Sequence, residues 1–218
     1  MSFIQLTIKR QTGIFLSWDV ASLYCVLCAV HRLDRVGKGT GIKPISLQQI
    51  HRLRTMNEAI LTGYIPGAIG RIAELHATYY HRNWGFGLFF EAKVAAELSE
   101  FLSRFDETRD GFWTVCLNNR IEGGIAIDGI KTTTEGAHLR WFILSPETRN
   151  RGIGNRLMEE ATSFCRKKNY RRVYLWTFEG LHEARHLYEK FGFKLVRQFE
   201  GTQWGTKVIE QKFELVLS

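Results

Sequence analysis

The segment Phe142-Ile143-Leu144-Ser145-Pro146-Glu147-Thr148-Arg149-Asn150-Arg151-Gly152-Ile153-Gly154 places two arginines and two glycines between an apolar run and an amphipathic one. Glycine at a helix start lets the main chain approach a ligand closely. The first N–H groups of a helix have no intrahelical partner and, together with the helix dipole, attract anions. Arg149 and Arg151 add positive charge and donors at the same place. The pattern predicts a phosphate or diphosphate seated on residues 149–155. A dinucleotide fingerprint needs a third glycine three residues after Gly154, where Leu157 stands. A Walker loop needs Gly-Lys-Ser/Thr, which this segment lacks. The competing reading is a helix start whose glycines serve packing alone.

The elements that must position this loop are legible from periodicity. Ala59–Ile65 reads as a short strand. Pro66-Gly67 opens a helix with Ile69, Ile72, Leu75 and Tyr79 on one face. A second helix carries Phe90, Val94, Leu98, Phe101 and Phe105 at helical spacing. Phe112–Leu117, Ile121–Ile130 and Ala137–Leu144 form a strand meander, the last ended by Pro146. A helix from Gly152 to about Lys168 follows, then a strand over Arg171–Phe178. The helix His182–Phe191 closes on Gly192, and strands Lys194–Phe199 and Ile209–Leu217 finish the chain. The order β-α-α-β-β-β-α-β-α-β-β implies an α/β fold with a mixed sheet and helices on its faces.

Composition narrows the classes. The 218 residues are 44% hydrophobic and 24% charged, an ordinary globular balance. Most of the net charge of +8 lies in residues 1–55, so the nearly neutral remainder gives little support to nucleic-acid binding. Gly13–Leu33 is the one candidate for a membrane or export segment, but Asp19 interrupts it and its apolar run is too short to span a bilayer. Cys25 and Cys28 have redox or metal spacing without a second ligand pair beyond His31, so they read as apolar thiols and no metal is expected. Cys116 and Cys165 read as core residues of a protein in a reducing, cytoplasmic compartment. Residues 1–55 are expected to be an N-terminal appendage, an upstream extension of a reading frame starting at Met56, and residues 56–218 the working domain.

From about Met56 to Ser218 the chain resembles the GNAT superfamily of N-acetyltransferases. The resemblance rests on Pro146, Arg149, Gly152 and Gly154, and on the downstream run Ala184-Arg185-His186-Leu187-Tyr188-Glu189-Lys190-Phe191-Gly192-Phe193, which matches Ala-x-x-Leu-Tyr-x-x-x-Gly-Phe. Glu74–Trp84 with Phe89-Phe90-Glu91 is similar to the acetyltransferase half of MarR-type regulator fusions. The resemblance implies a mixed, mostly antiparallel sheet flanked by helices, and acetyl-CoA as co-substrate. It implies that main-chain groups of Phe142, Ile143 and Leu144 pair with the pantetheine arm. Arg149, Asn150, Arg151, Gly152, Ile153, Gly154 and Asn155 would hold the diphosphate, and Tyr188 would protonate the leaving thiolate. Two departures stand out: Asn150 replaces a common glycine, and Leu181 replaces a common pantetheine-binding asparagine.

Acetyl transfer also needs a base for the ammonium proton. The candidates are Glu135 and His138, the latter expected to share a strand face with Arg140 and Phe142. Tyr79, Tyr80, His81, Trp84 and Trp204, with Glu91 or Glu200 nearby, are candidate walls for the acceptor. Arg166-Lys167-Lys168 with Arg171-Arg172 reads as a solvated helix end, with the CoA 3′-phosphate as an alternative partner. The expected partner is an amine-bearing small molecule or peptide, with a homodimer as a further option and neither nucleic acid nor membrane. The rival readings are a non-catalytic acyl-CoA-binding module and a DNA-associated regulator.

Overall fold

A computed structural model describes residues 58–217. The Cys25–Cys28 pair, the Gly13–Leu33 segment, and the appendage and boundary expected at Met56 lie outside these residues. The elements are β1 (Ile60–Thr62), α1 (Ala68–Trp84), α2 (Leu88–Ser103), β2 (Gly111–Leu117), β3 (Arg120–Asp128), β4 (Ala137–Leu144), α3 (Ile153–Lys167), β5 (Arg172–Phe178), α4 (His182–Lys190), β6 (Lys194–Gly201) and β7 (Val208–Val216). They form a seven-stranded sheet in the order β1-β2-β3-β4-β5-β7-β6. Every neighbouring pair is antiparallel except β4–β5.

Each sheet face buries its own core. Ile153, Leu157, Met158 and Ala161 of α3, which fall on one helix face, pack with Tyr188 of α4 against Ile125, Leu139 and Phe213. On the other face Ile72 of α1 and Phe90, Val94, Leu98 and Phe101 of α2 pack against Ala126, Trp141 and Ile143. Gly124 permits the close seating of α1, because a Cβ there would stand 2.9 Å from Ile72 Cδ1. Phe105 falls past the end of α2 and is exposed. Cys165 is buried, whereas Cys116 is only half-buried, on β2 beside the short edge strand β1.

Just beyond its short pairing with β5, β4 carries a bulge. The register shifts between Gly124 and Ala126, where β3 advances two residues while β4 advances from Arg140 to Ile143. Trp141 takes φ 48°, a left-handed conformation unusual for a bulky residue. The extra residue puts Arg140 and Trp141 on the same side. Arg140 bonds Glu97 of α2, and the Trp141 ring centroid lies 5.3 Å from that of Phe101. Phe142 is thereby turned to the opposite face, its ring centroid 6.2 Å from that of Tyr188. Simple alternation placed Phe142 with His138 and Arg140; the bulge breaks that alternation.

Candidate functional site

Strands β4 and β5 pair only through Ala137 with Val173 and His138 with Tyr174. Beyond that point they diverge. The far half of β4 stays on β3, through Gly124 with Ile143 and Gly123 with Leu144, and β5 stays on β7 along its whole length. The edge of β4 at Phe142, Ile143 and Leu144 thus faces a gap on the β5 side. Such an edge accepts an extended ligand as a strand would.

The gap ends on the arginine–glycine loop. The Ser145 N–H donates to the Glu122 carbonyl at 2.7 Å, and the Thr148 hydroxyl donates to the same carbonyl at 3.2 Å, so Pro146–Thr148 is held as one 3₁₀ turn. Asn150 follows at φ 57° and Gly152 at φ 74°, both left-handed. Asparagine is one of the few non-glycine residues that tolerate this conformation, so Asn150 can take the place of the glycine that the family resemblance implies. Gly152 caps α3, and a Cβ built on it would meet nothing within 4 Å. The Ile153 side chain is buried in the core, and Asn155 Oδ1 accepts from Lys190 Nζ at 2.6 Å. These residues therefore present main-chain N–H groups to open space, and the donor set fits a diphosphate. Arg151 is exposed at the loop tip. Arg149 turns inward: its Nε donates to the Leu144 carbonyl at 3.2 Å, and its Cζ lies 4.5 Å from the Tyr79 ring centroid. The Leu144 carbonyl is thus engaged by the protein itself. Leu181, at the N-cap of α4, is buried among apolar side chains and offers no side-chain donor.

Below the loop a cleft of about 450 Å³ runs along the diverging strands, lined by both Phe142 and Tyr188. Tyr188 is 6% exposed, and burial pushes its phenol well above the usual tyrosine range, so it is protonated at neutral pH. No described residue shares a hydrogen bond with its hydroxyl. His138 stacks on Tyr174 with ring centroids 4.4 Å apart. Burial, with a further contribution from Arg140, lowers it to about 3, so this ring is neutral. Glu135 sits at the cleft edge, where its bond from Lys131 at 2.8 Å, aided by the Tyr174 hydroxyl, holds its carboxyl below the usual range. Tyr188 and His138 belong to opposite faces of the sheet, and the gap between β4 and β5 brings both to one cavity.

The acceptor wall differs in part from expectation. Tyr80 and Trp204 line the cleft. Tyr79 lies under Arg149, the His81 Nδ1 is bound to the Phe86 carbonyl at 3.0 Å, and Trp84 packs edge-on against Phe178 at 5.2 Å. Glu91 is exposed away from the cleft, and Glu200 is paired with Lys207 at 2.8 Å. The carboxylates that do line it are Glu97, Asp128 and Glu135. Glu97 takes Lys93 and Arg140, and Asp128 takes Arg104 at 2.7 Å. His76 also lines the cleft. Its spacing of four residues from Ile72 and from Tyr80 was the available signal. The basic run at Arg166–Lys168 lies at the far end of the 15-residue α3, about 22 Å from the loop, with Lys168 Nζ on the Glu107 carbonyl at 3.1 Å. Among the described residues no group of three or more His, Cys, Asp or Glu could hold a metal ion, and no helix is long and apolar enough to cross a membrane.

The chain belongs to the acetyltransferase (GNAT) family, whose model matches residues 70–193. It is therefore an acetyl-CoA-dependent N-acetyltransferase by class, with acetyl-CoA as co-substrate. It is 30% identical over 105 residues to a Bacillus subtilis protein proposed to be a [ribosomal protein bS18]-alanine N-acetyltransferase, covering 44% of this chain and 68% of that one. It is 28% identical over 122 residues to the uncharacterized N-acetyltransferase MJ1207 of Methanocaldococcus jannaschii, covering 53% of each chain. The fold matches a GNAT acetyltransferase of Staphylococcus aureus Mu50 at TM-score 0.60 and 16% identity, covering 74% of this chain and all of that one. It also matches yncA of Salmonella typhimurium, solved with its cofactor acetyl-CoA, at TM-score 0.59 and 11% identity, covering 74% and 95%.

Proposed function

We propose that this chain moves the acetyl group of acetyl-CoA directly to a primary amine of a small molecule or peptide within a ternary complex. The observation that carries the reading is the gap between β4 and β5, which ends on the capped start of α3 and exposes Tyr188 to the same cavity. The name carried by the Bacillus subtilis relative favours a peptide amine. The bound co-substrate supplies an activated thioester. Phe142, Ile143 and Leu144 hold its pantetheine arm along the open β4 edge, and the main chain of residues 149–155 holds its diphosphate. Arg149 must leave the Leu144 carbonyl for that strand to pair fully. An N–H of the open β4 edge near Leu144 stabilises charge growing on the thioester oxygen. Tyr188, kept protonated by burial, gives its proton to the departing thiolate. Glu135 receives the proton of the amine; His138, the other candidate, is held neutral by burial and is the weaker base.

Release of free CoA from acetyl-CoA, followed across 2-phenylethylamine, spermidine, free amino acids and an alanine-initiated peptide, tests the reading. Amine-dependent release is expected. Tight binding of acetyl-CoA with no release on any amine would favour a non-catalytic binding module. Salt-dependent duplex binding that vanishes on removal of residues 1–55 would favour a DNA-associated regulator.

A further inference from the structure

We infer that His76 is a further catalytic residue of this cleft, its Nε2 accepting a hydrogen bond from the amine of the acetyl acceptor. The inference rests on the transferase reading above and deepens it. His76 lies on α1, one turn after Ile72 and one turn before Tyr80. The residue is 6% exposed and lines the cleft. Its Nδ1 stands 2.9 Å from the Ile72 carbonyl oxygen. A carbonyl can only accept, so Nδ1 carries the hydrogen, and in a neutral imidazole Nε2 is then a bare acceptor. Burial lowers the ring to about 4, so the neutral form holds at pH 7.

Among the described residues no sequestered side-chain polar atom lacks a partner, and the bond to Ile72 is the only hydrogen bond of this ring. Nε2 therefore keeps some open surface, and the cleft is the cavity that His76 lines. Near-parallel stacking on Tyr80, with centroids 6.0 Å apart and planes 9° apart, holds the plane of the ring, and the bond to Ile72 holds its Nδ1 edge. A purely structural histidine has no need of that free acceptor, whereas an amine has N–H groups to fill it. Accepting one N–H leaves the nitrogen lone pair free for the thioester carbon. His76 takes up no proton: the C–N bond forms as the C–S bond breaks, the surplus amine proton goes to the base, and the thiolate takes the Tyr188 proton.

Asparagine and glutamine separate the two ring nitrogens. His76→Asn keeps a donor for the Ile72 carbonyl and leaves nothing at Nε2, whereas His76→Gln carries an amide to the Nε2 position. With the alanine-initiated peptide and 2-phenylethylamine as probes, His76→Asn is expected to lower kcat/KM by about 10-fold, the scale of one hydrogen bond. Acetyl-CoA affinity should stay within about 2-fold, and His76→Gln should recover most of the loss. In parallel, NMR of the full chain labelled with ¹⁵N-histidine should find the Nδ1–H tautomer, with the Nε2 resonance moving when CoA and a probe amine are added together. Wild-type turnover by a folded His76→Asn, an Nε2–H tautomer, or an unmoved Nε2 resonance overturns the inference. Wild-type protein that binds acetyl-CoA yet acetylates no amine overturns instead the transferase reading beneath it.

Discussion

Arg149 lies over Tyr79, its Cζ 4.5 Å from the ring centroid, while its Nε bonds the Leu144 carbonyl. One side chain thus ties the arginine–glycine loop to both α1 and β4. If the guanidinium, on leaving the Leu144 carbonyl, moves to the diphosphate, it supplies a charge-assisted hydrogen bond worth roughly 1.5–3 kcal/mol, and Arg149→Ala should raise the Kd for acetyl-CoA by roughly 10- to 100-fold. Isothermal titration should register this with little change in KM for the amine. A change confined to the amine would remove Arg149 from the diphosphate site.

Tyr188 fills space between Phe142, Phe193 and Phe213, and phenylalanine preserves those contacts. Tyr188→Phe should therefore keep the melting temperature and acetyl-CoA affinity while lowering kcat by about 10²-fold. Steady-state release of free CoA checks this, and unchanged turnover would leave Tyr188 a packing residue.

Asn150 holds a left-handed conformation that β-branched residues resist. Asn150→Val should cost about 1–2 kcal/mol and weaken acetyl-CoA binding, whereas Asn150→Gly should keep both stability and affinity. Urea melts and titration of the two variants decide the point.

His138 is lowered to about 3 by burial and by Arg140, against an unfolded value near 6.5. Between these values the unfolded chain binds a proton that the folded chain refuses. Its contribution is therefore complete above about pH 6.5 and is lost progressively as pH falls towards 3. His138→Gln should flatten the decline in unfolding free energy between pH 6.5 and 4.5, measured by urea melts at both pH values. An equal decline in both proteins would show that another group carries it.

Residues 1–55 hold most of the excess charge, and the family match begins after them. We propose that they are an appendage. Deleting Met1–Thr55 should leave a folded chain with acetyl-CoA affinity within about 2-fold, since no residue assigned to the site lies there. Loss of soluble protein on that deletion would reject the proposal.

The one-dimensional pattern determined the elements, because each buries one face and repeats its apolar residues at the period of its own geometry. β4 spans Ala137–Leu144 in the sequence and in the fold, and α3 differs from its reading only at its ends. The loop proposed to hold the diphosphate is equally local as a pattern: a helix start, two glycines and two arginines lie within a few residues of each other. What only the tertiary structure decided is long-range. The bulge at Trp141 arises from the fit of β4 to β3, and it sends Phe142 and Arg140 to opposite faces against simple alternation. The inward turn of Arg149 depends on Tyr79, which chain neighbours cannot announce. The lining of the cleft by His76, Glu97 and Asp128, in place of Glu91 or Glu200, follows from how helices seat on the sheet. A side chain's neighbours across a fold are set by packing, and packing joins residues that the linear pattern keeps far apart.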